Sequence, residues 1–324
     1  MSQSAQQIQF YDFHPKPSDF YAEVTSGLLK IPKAIPPKFF YDELGSRLFE
    51  QICETPEYYP TRTEQKILSD NAEEISTVIG RHAYVIEPGS GSCEKIKLLL
   101  DTLQPEAYVP MDISKDFLQA SAQAISDEYP WLDVHAACID FTQPLDLPFC
   151  PPDARKLAFF PGSSIGNFEP TQAINFMAQL ARTVGRGGGL LIGVDLKKDP
   201  TILDDAYNDR DGVTAAFNLN LLNRINHELA AEFDLNLFTH QAFYNSEIGR
   251  VEMHLVSQTA QQIPVADTMV AFDAGESIHT ESSYKYSVAE FQHLASAAGF
   301  MPVYVWTDED NLFSVHYVEV VDYG

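Results

Sequence analysis

Cysteine is scarce in this chain and never closely spaced: Cys53, Cys93, Cys138 and Cys150 are scattered, with no C-x-x-C pair. That argues against a disulfide framework or a cysteine zinc site and predicts free, buried thiols in a reducing compartment, the cytoplasm. Long apolar runs are also missing, so no segment is expected to span a membrane. The opening stretch MSQSAQQIQFYDFHPKPSDF has neither a basic start nor an apolar core, and reads as no secretion signal. Basic residues are outnumbered, 21 against 46 acidic ones, for a formal net charge of −25. A surface of that sign repels phosphate backbones, which sets nucleic acid aside as a partner. The acid excess favours solubility and names no substrate. Internal repeats, coiled-coil heptads and low-complexity tracts are absent.

What remains is a chain of 324 residues, 45% of them hydrophobic, enough to fill a large α/β core. The segments HAYVIEPG, AYVPMDIS, LDVHAACIDF, RKLAFFPGSSIGNF and GRGGGLLIGVDL read as strands. Between them CEKIKLLLDTL, KDFLQASAQAISDEY and TQAINFMAQLARTV have helical spacing; in the last, Ile174, Met177, Ala181 and Val184 share a face. Strands separated by such helices pair in parallel through right-handed crossovers, in a doubly wound sheet covered on both faces. A polar helix is predicted over Thr63–Ile79, after a loop-rich, Pro-punctuated first 40 residues.

After Leu196 the rhythm breaks into a long helix at VTAAFNLNLLNRINHELAAEFD and a strand at RVEMHLVSQTAQQIPV. The chain closes with a helix, SVAEFQHLASAAGF, and two strands, MPVYVWTD and LFSVHYVEV. Four segments are therefore expected. Residues 1–62 form an arm and helices contributing to a substrate lobe, and 63–197 form the core. Residues 198–284 form a smaller α+β lobe, and 285–324 add a helix and hairpin to the core sheet.

The loop in VIEPGSGSCEKIKLLL lacks the third glycine of the dinucleotide fingerprint, because position 94 is Glu. That weakens a nicotinamide reading. An acidic residue ahead of two glycines, Glu87 with Gly89 and Gly91, suits S-adenosylmethionine, whose methionyl end carries an ammonium group and no phosphate. Asp112, at the end of the next strand, can accept from ribose hydroxyls; as a plain structural residue it would cap the following helix, a role open to Ser114. Asp140 and Phe141 follow the third strand, suited to an adenine amino group and face, although Phe141 could be ordinary core. Lys95 can offer a cation to the ligand carboxylate or lie along the surface. Acidic groups ending three successive strands favour a methyl-donor cofactor.

The chain resembles the histidine N-alpha-methyltransferases, S-adenosylmethionine enzymes that open ergothioneine biosynthesis. The resemblance runs through YDELGSRLFEQICETPEYYPTRTE, IEPGSGSCEK, FFPGSSIGN, DLKKDPTILDDAYND, VTAAFN and IHTESSYKYS. It implies a Rossmann-like class I methyltransferase core with a second lobe over the amino acid. Gly89, Lys95, Asp112, Asp140 and Phe141 match cofactor positions, with Tyr41 near the methionyl end and the substrate amine. Gly162 and Asn167 match positions that hold the substrate's amino and carboxylate groups, and Tyr207 a second carboxylate contact. Glu281 and Ser283 match the residues that take the imidazole, Tyr58 lies close by, and Met253 lines the side-chain pocket. Choosing Ser283 over Ser282 rests on strand alternation.

The implied reaction is trimethylation of L-histidine to hercynine, releasing S-adenosylhomocysteine, in a cytoplasmic monomer with no metal. The α-ammonium loses its proton to water with help from the hydroxyl of Tyr41 or Tyr58. Two alternatives are methylation of another aromatic amino acid, such as tryptophan or a derivative, and a non-catalytic S-adenosylmethionine-binding protein. Glu281 speaks against the first, since an indole pocket has little use for a carboxylate.

Overall fold

The computed structural model describes residues 8–14, 19–141 and 147–320. The chain divides into two compact units with boundaries at 16/17, 61/62, 196/197 and 285/286. Residues 1–7 and 321–324 of the expected first and last segments lie outside the described residues.

The first unit is built on an eight-stranded sheet. Its spatial order is Gln9–Asp12, Asp133–Cys138, Ala107–Asp112, Tyr84–Pro88, Lys156–Phe160, Gly189–Asp195, Phe313–Val320 and Phe300–Thr307. Every neighbouring pair is parallel through Gly189–Asp195; Phe313–Val320 is antiparallel to both its neighbours. The predicted terminal hairpin is thus the sheet's antiparallel edge. Strand order runs outward in opposite directions from Tyr84–Pro88 and Lys156–Phe160, and ligands of open α/β sheets bind at the carboxyl end of such a reversal.

Apolar spacing explains how the helices cover this sheet. Glu94–Leu103 buries Ile96, Leu99, Leu100 and Leu103, one stripe of a helix with a period of 3.6. Burying each leucine stabilises the fold by about 1.5–3 kcal/mol. Pro170–Val184 starts on a proline with a Glu169–Gln172 capping box and stops at Gly185, whose φ is 69°. Its buried face centres on Ala173, Phe176, Met177 and Leu180, which leaves Ile174 half-buried.

Two local readings change. The single helix expected over Thr63–Ile79 is two, Pro60–Asp70 and Ala72–Ile79. Asn71 separates them, its side-chain amide donating back to the Ile67 carbonyl at 2.8 Å, a local bond that competes with helix propagation. Within the expected arm 1–62, Gln9–Asp12 pairs in parallel with Asp133–Cys138, so the core sheet takes this piece and only 17–61 fall in the second unit. Four residues are too few to show a period, so the strand is set by its partner.

In the second unit a four-stranded sheet runs Lys33–Ala34, Ser277–Tyr284, Arg250–Ser257, Phe238–Asn245. A separate hairpin joins Gln261–Val265 to Thr268–Phe272. The long helix Val213–Leu229 buries Phe217, Leu221, Leu222 and Ile225. Its Asn218, fully buried, donates to the His254 carbonyl at 3.1 Å and accepts from the Thr280 hydroxyl at 2.8 Å, which fastens helix to sheet. Among the described residues no helix is long and apolar enough to cross a membrane.

Candidate functional site

In the first unit the predicted loop does follow the strand at the reversal. Gly89 and Gly91 have φ of 66° and 54°, and Cys93, also left-handed at 60°, starts the helix Glu94–Leu103. Only glycine occupies such backbone at no steric cost. A Cβ on Gly89 would stand 3.3 Å from the Phe141 ring, whereas one on Gly91 would meet nothing within 4 Å. Two residues predicted separately, Gly89 and Phe141, therefore face each other, and the backbone at Gly91 is open to a ligand. Asp112 ends its strand and accepts from the Ser114 N–H at 2.9 Å. Burial pushes its carboxyl up, against the pull of the Ser114, Gly91 and Ile113 N–H groups. Ser114 starts the next helix without a side-chain cap, so Asp112 shapes the turn itself. Asp140, half-buried, lies just beyond the third strand. These carboxyls, the open glycine loop and the Phe141 ring fit a nucleoside-bearing ligand with a free ammonium group.

Glu87 is 2% exposed and accepts from the Tyr108 hydroxyl at 2.6 Å. Desolvation raises its pKa to about 8, with Tyr108 and Lys95 opposing. Lys95 is tied at 2.6 Å to Glu64, which the sequence reading passed over. The buried Glu64 carboxylate also accepts from the Gly162 N–H at 2.8 and 2.9 Å through its two oxygens. A Cβ on Gly193 would lie 1.8 Å from Glu64 Oε1, so that strand position must stay bare. Glu64 thereby links Lys95 and Gly162, and it stands at the end of the quoted YYPTRTE. Gly162 has a φ of 85°, and Asn167, at the end of the short 3-10 turn Ser164–Asn167, is exposed.

The second unit gathers Tyr41, Tyr58, Tyr207, Met253, Glu281 and Ser283. Tyr207 is 7% exposed and donates to Ser283 Oγ at 3.0 Å. Lys285, missed from sequence, is 2% exposed; its ammonium donates to Ser283 Oγ at 2.8 Å and to the Tyr207 hydroxyl oxygen at 3.1 Å. Ser282 instead meets His279 Nε2 at 3.1 Å, so the two serines serve opposite faces. Glu281 pairs in register with the buried Met253. Desolvation raises its carboxyl to about 7, and the Lys285 charge holds it from rising further.

Aromatic rings line the same unit. Tyr58 lies edge-on to Tyr207 with centroids 6.1 Å apart, and Phe49 is 6.3 Å from Tyr58. Tyr41 lies 5.8 Å from Phe49 and 5.9 Å from Phe217. Phe49 and Phe217 do not stand out in the sequence, because a phenylalanine at helical spacing reads as core. Desolvation raises the Tyr58 hydroxyl well above the usual tyrosine range. Tyr41 keeps 45% of its surface exposed, yet loss of water around its hydroxyl, then Glu281, raises it too. Both phenols are therefore neutral near pH 7.

Comparison with known proteins places this geometry. A family model described as histidine-specific methyltransferase, SAM-dependent, matches residues 20–320. The histidine N-alpha-methyltransferase of Mycolicibacterium smegmatis is 43% identical over 88% of this chain and 90% of its own length. A 4-dimethylallyltryptophan N-methyltransferase of Aspergillus fumigatus is 29% identical over 89% of this chain and 90% of its own. Among solved structures, an S-adenosylmethionine-dependent methyltransferase from Clostridium acetobutylicum shares the fold with a TM-score of 0.50 at 11% identity, covering 85% of this chain and 98% of that one.

Proposed function

The chain belongs to the histidine-specific, S-adenosylmethionine-dependent methyltransferases, and we propose that it trimethylates the α-amine of L-histidine to hercynine, as the first step towards ergothioneine. S-adenosylmethionine, when bound, supplies an activated methyl group. Gly89, Gly91, Asp112, Asp140 and Phe141 are the residues we assign to it, with Glu87, Lys95 and Glu64 shaping the loop from beneath.

The observation that carries the substrate reading is the buried set Tyr207, Ser283 and Lys285 beside Glu281. An imidazole offers N–H donors and a ring nitrogen acceptor, and a carboxylate with a hydroxyl two residues along the same strand face matches both. An indole offers one N–H and no acceptor, so it leaves part of this set unmet. Lys285 keeps the buried carboxylate charged enough to accept. We assign the amino acid's carboxylate to the Asn167 amide and the Tyr207 hydroxyl, whose proton turns from Ser283 to the substrate on binding, and its amino group to Gly162 and Tyr41.

The reacting amine must lose its proton before each transfer. Tyr41 and Tyr58, held neutral, accept an N–H through a phenol lone pair and orient the amine while water takes the proton. Positioning supplies most of the acceleration because the donor is already activated. The rings of Tyr41, Phe49, Tyr58 and Phe217 favour an amine that gains methyl groups and ends as a fixed cation, since aromatic faces attract quaternary ammonium.

Competition between histidine and tryptophan for the same enzyme tests the substrate class. Histidine is expected to win by at least about a hundredfold in kcat/KM, a floor below the roughly 10⁴–10⁵ that sites with buried polar groups left unpaired reach. Equal use of the two would transfer the reading to the tryptophan branch.

A further inference from the structure

The strands that carry Met253, Glu281 and Ser283 also carry a second set of ligating groups, on their other face. His254 stands opposite His279 in the register, with ring centroids 5.1 Å apart. Glu252 lies two residues from His254 on the same strand, so its side chain shares that face. One carboxylate oxygen of Glu252 and one ring nitrogen from each histidine all lie within 4.8 Å of one another. Within the set, His254 Nε2 is 3.0 Å from Glu252 Oε2.

We infer that Glu252, His254 and His279 form a binding site for a divalent transition metal of the zinc class. The spacing suits the task. Tetrahedral zinc with bonds of about 2.0–2.1 Å keeps its ligand atoms roughly 3.3 Å apart, so small rotamer adjustments close the site. Two imidazoles and a carboxylate leave the fourth position to water, a donor set that selects zinc, nickel or copper over magnesium and calcium.

The outer contacts orient the donors. Glu252 Oε1 accepts from Arg250 Nε at 3.0 Å and from Asn245 Nδ2 at 3.2 Å, which turns Oε2 to the histidine. His254 keeps its other ring nitrogen, Nδ1, 3.2 Å from Ser277 Oγ, while Phe243 stacks on its ring at 5.5 Å. His279 Nε2 is held by the neutral Ser282 hydroxyl, which a metal displaces. Such second contacts fix the ring plane and the nitrogen presented to a metal. The Arg250 guanidinium shares the carboxylate and weakens the site, so micromolar affinity is expected rather than that of a sealed structural zinc. A metal here cross-links Arg250–Ser257 to Ser277–Tyr284 at the bulge between His279 and Glu281.

The test is zinc titration of tag-free, chelator-treated full-length protein against a chromophoric competitor. One zinc per chain is expected, with a Kd of about 1–100 μM. Glu252→Gln, His254→Ala and His279→Ala each weaken it at least about tenfold, as loss of a ligand must. His293→Ala, on an exposed helix position, leaves it unchanged. Cobalt(II) in place of zinc gives the visible absorption of a four-coordinate site. No saturable binding by wild-type protein below about 100 μM zinc overturns the inference, whatever the variants do. Wild-type affinity in folded His254→Ala and His279→Ala overturns it too.

Discussion

The ammonium of Lys285 lies 2.8 Å from the hydroxyl of Ser283, with both groups buried in the second unit. The same ammonium reaches Tyr207 and lowers the cost of charging Glu281. A single lysine thus polarises the serine, fixes the tyrosine and governs the carboxylate assigned to the imidazole. Replacing it by methionine should raise the Kd for histidine at least about tenfold, since a buried charge-assisted hydrogen bond is worth about 1.5–3 kcal/mol. Cofactor affinity, measured by calorimetry, should stay within about twofold. Loss of both to the same degree would make Lys285 a folding residue only.

Glu281 should set a pH dependence of histidine binding. Its carboxyl titrates at about 7, so the accepting form fills as pH rises through that value and empties below it. Affinity for histidine is expected to fall between roughly pH 8 and pH 6 in wild-type protein and to fall less in Glu281→Gln. The substrate's imidazolium is stabilised by the Glu281 carboxylate and not by a glutamine, so the difference between the two curves reads the coupled titration of the pair. Parallel curves would remove Glu281 from the imidazole contact.

Glu87 makes the opposite contribution to stability from an ordinary ion-paired carboxylate. Its folded pKa of about 8 lies above the ordinary value of 4.5, so the folded state binds the extra proton between those limits. Its share of stability is therefore present below the unfolded pKa and is lost as pH rises through about 8, by a few kcal/mol at most. Glu87→Gln keeps an acceptor for Tyr108 and removes the titration. The difference in Tm between mutant and wild type should grow in the mutant's favour from about pH 5 to pH 8. A constant difference would contradict the assignment.

Glu64 joins Lys95 and the Gly162 N–H, so Glu64→Ala should destabilise the protein by about 1–3 kcal/mol, since the Gly162 N–H loses its acceptor while Lys95 keeps some contact with water. Gly193→Ala should do comparable damage by pushing the carboxylate off its partners. Denaturant unfolding of both variants checks this. A change below about 1 kcal/mol would mean that water replaces the carboxylate.

The regular part of the fold was legible because its cause is local. Alternating strand and helix signals announce parallel crossovers, and the carboxyls at strand ends follow from them. Ser283 could be chosen over Ser282 by period alone, and the structure gives Ser283 to Tyr207 and Ser282 to His279. The strand Gln9–Asp12 was not legible, because pairing with Asp133–Cys138 and not its own sequence makes it a strand. Lys285 and Glu64 were hidden for a related reason. A charged residue reads as surface until its partners, distant in sequence, close over it.

The central claim is tested most directly by mass spectrometry of the purified protein incubated with L-histidine and S-adenosylmethionine. Mono-, di- and trimethylated histidine should appear in sequence, with the trimethylated form accumulating and S-adenosylhomocysteine formed in step. Absence of any methylated histidine from protein shown to bind S-adenosylmethionine would contradict the account.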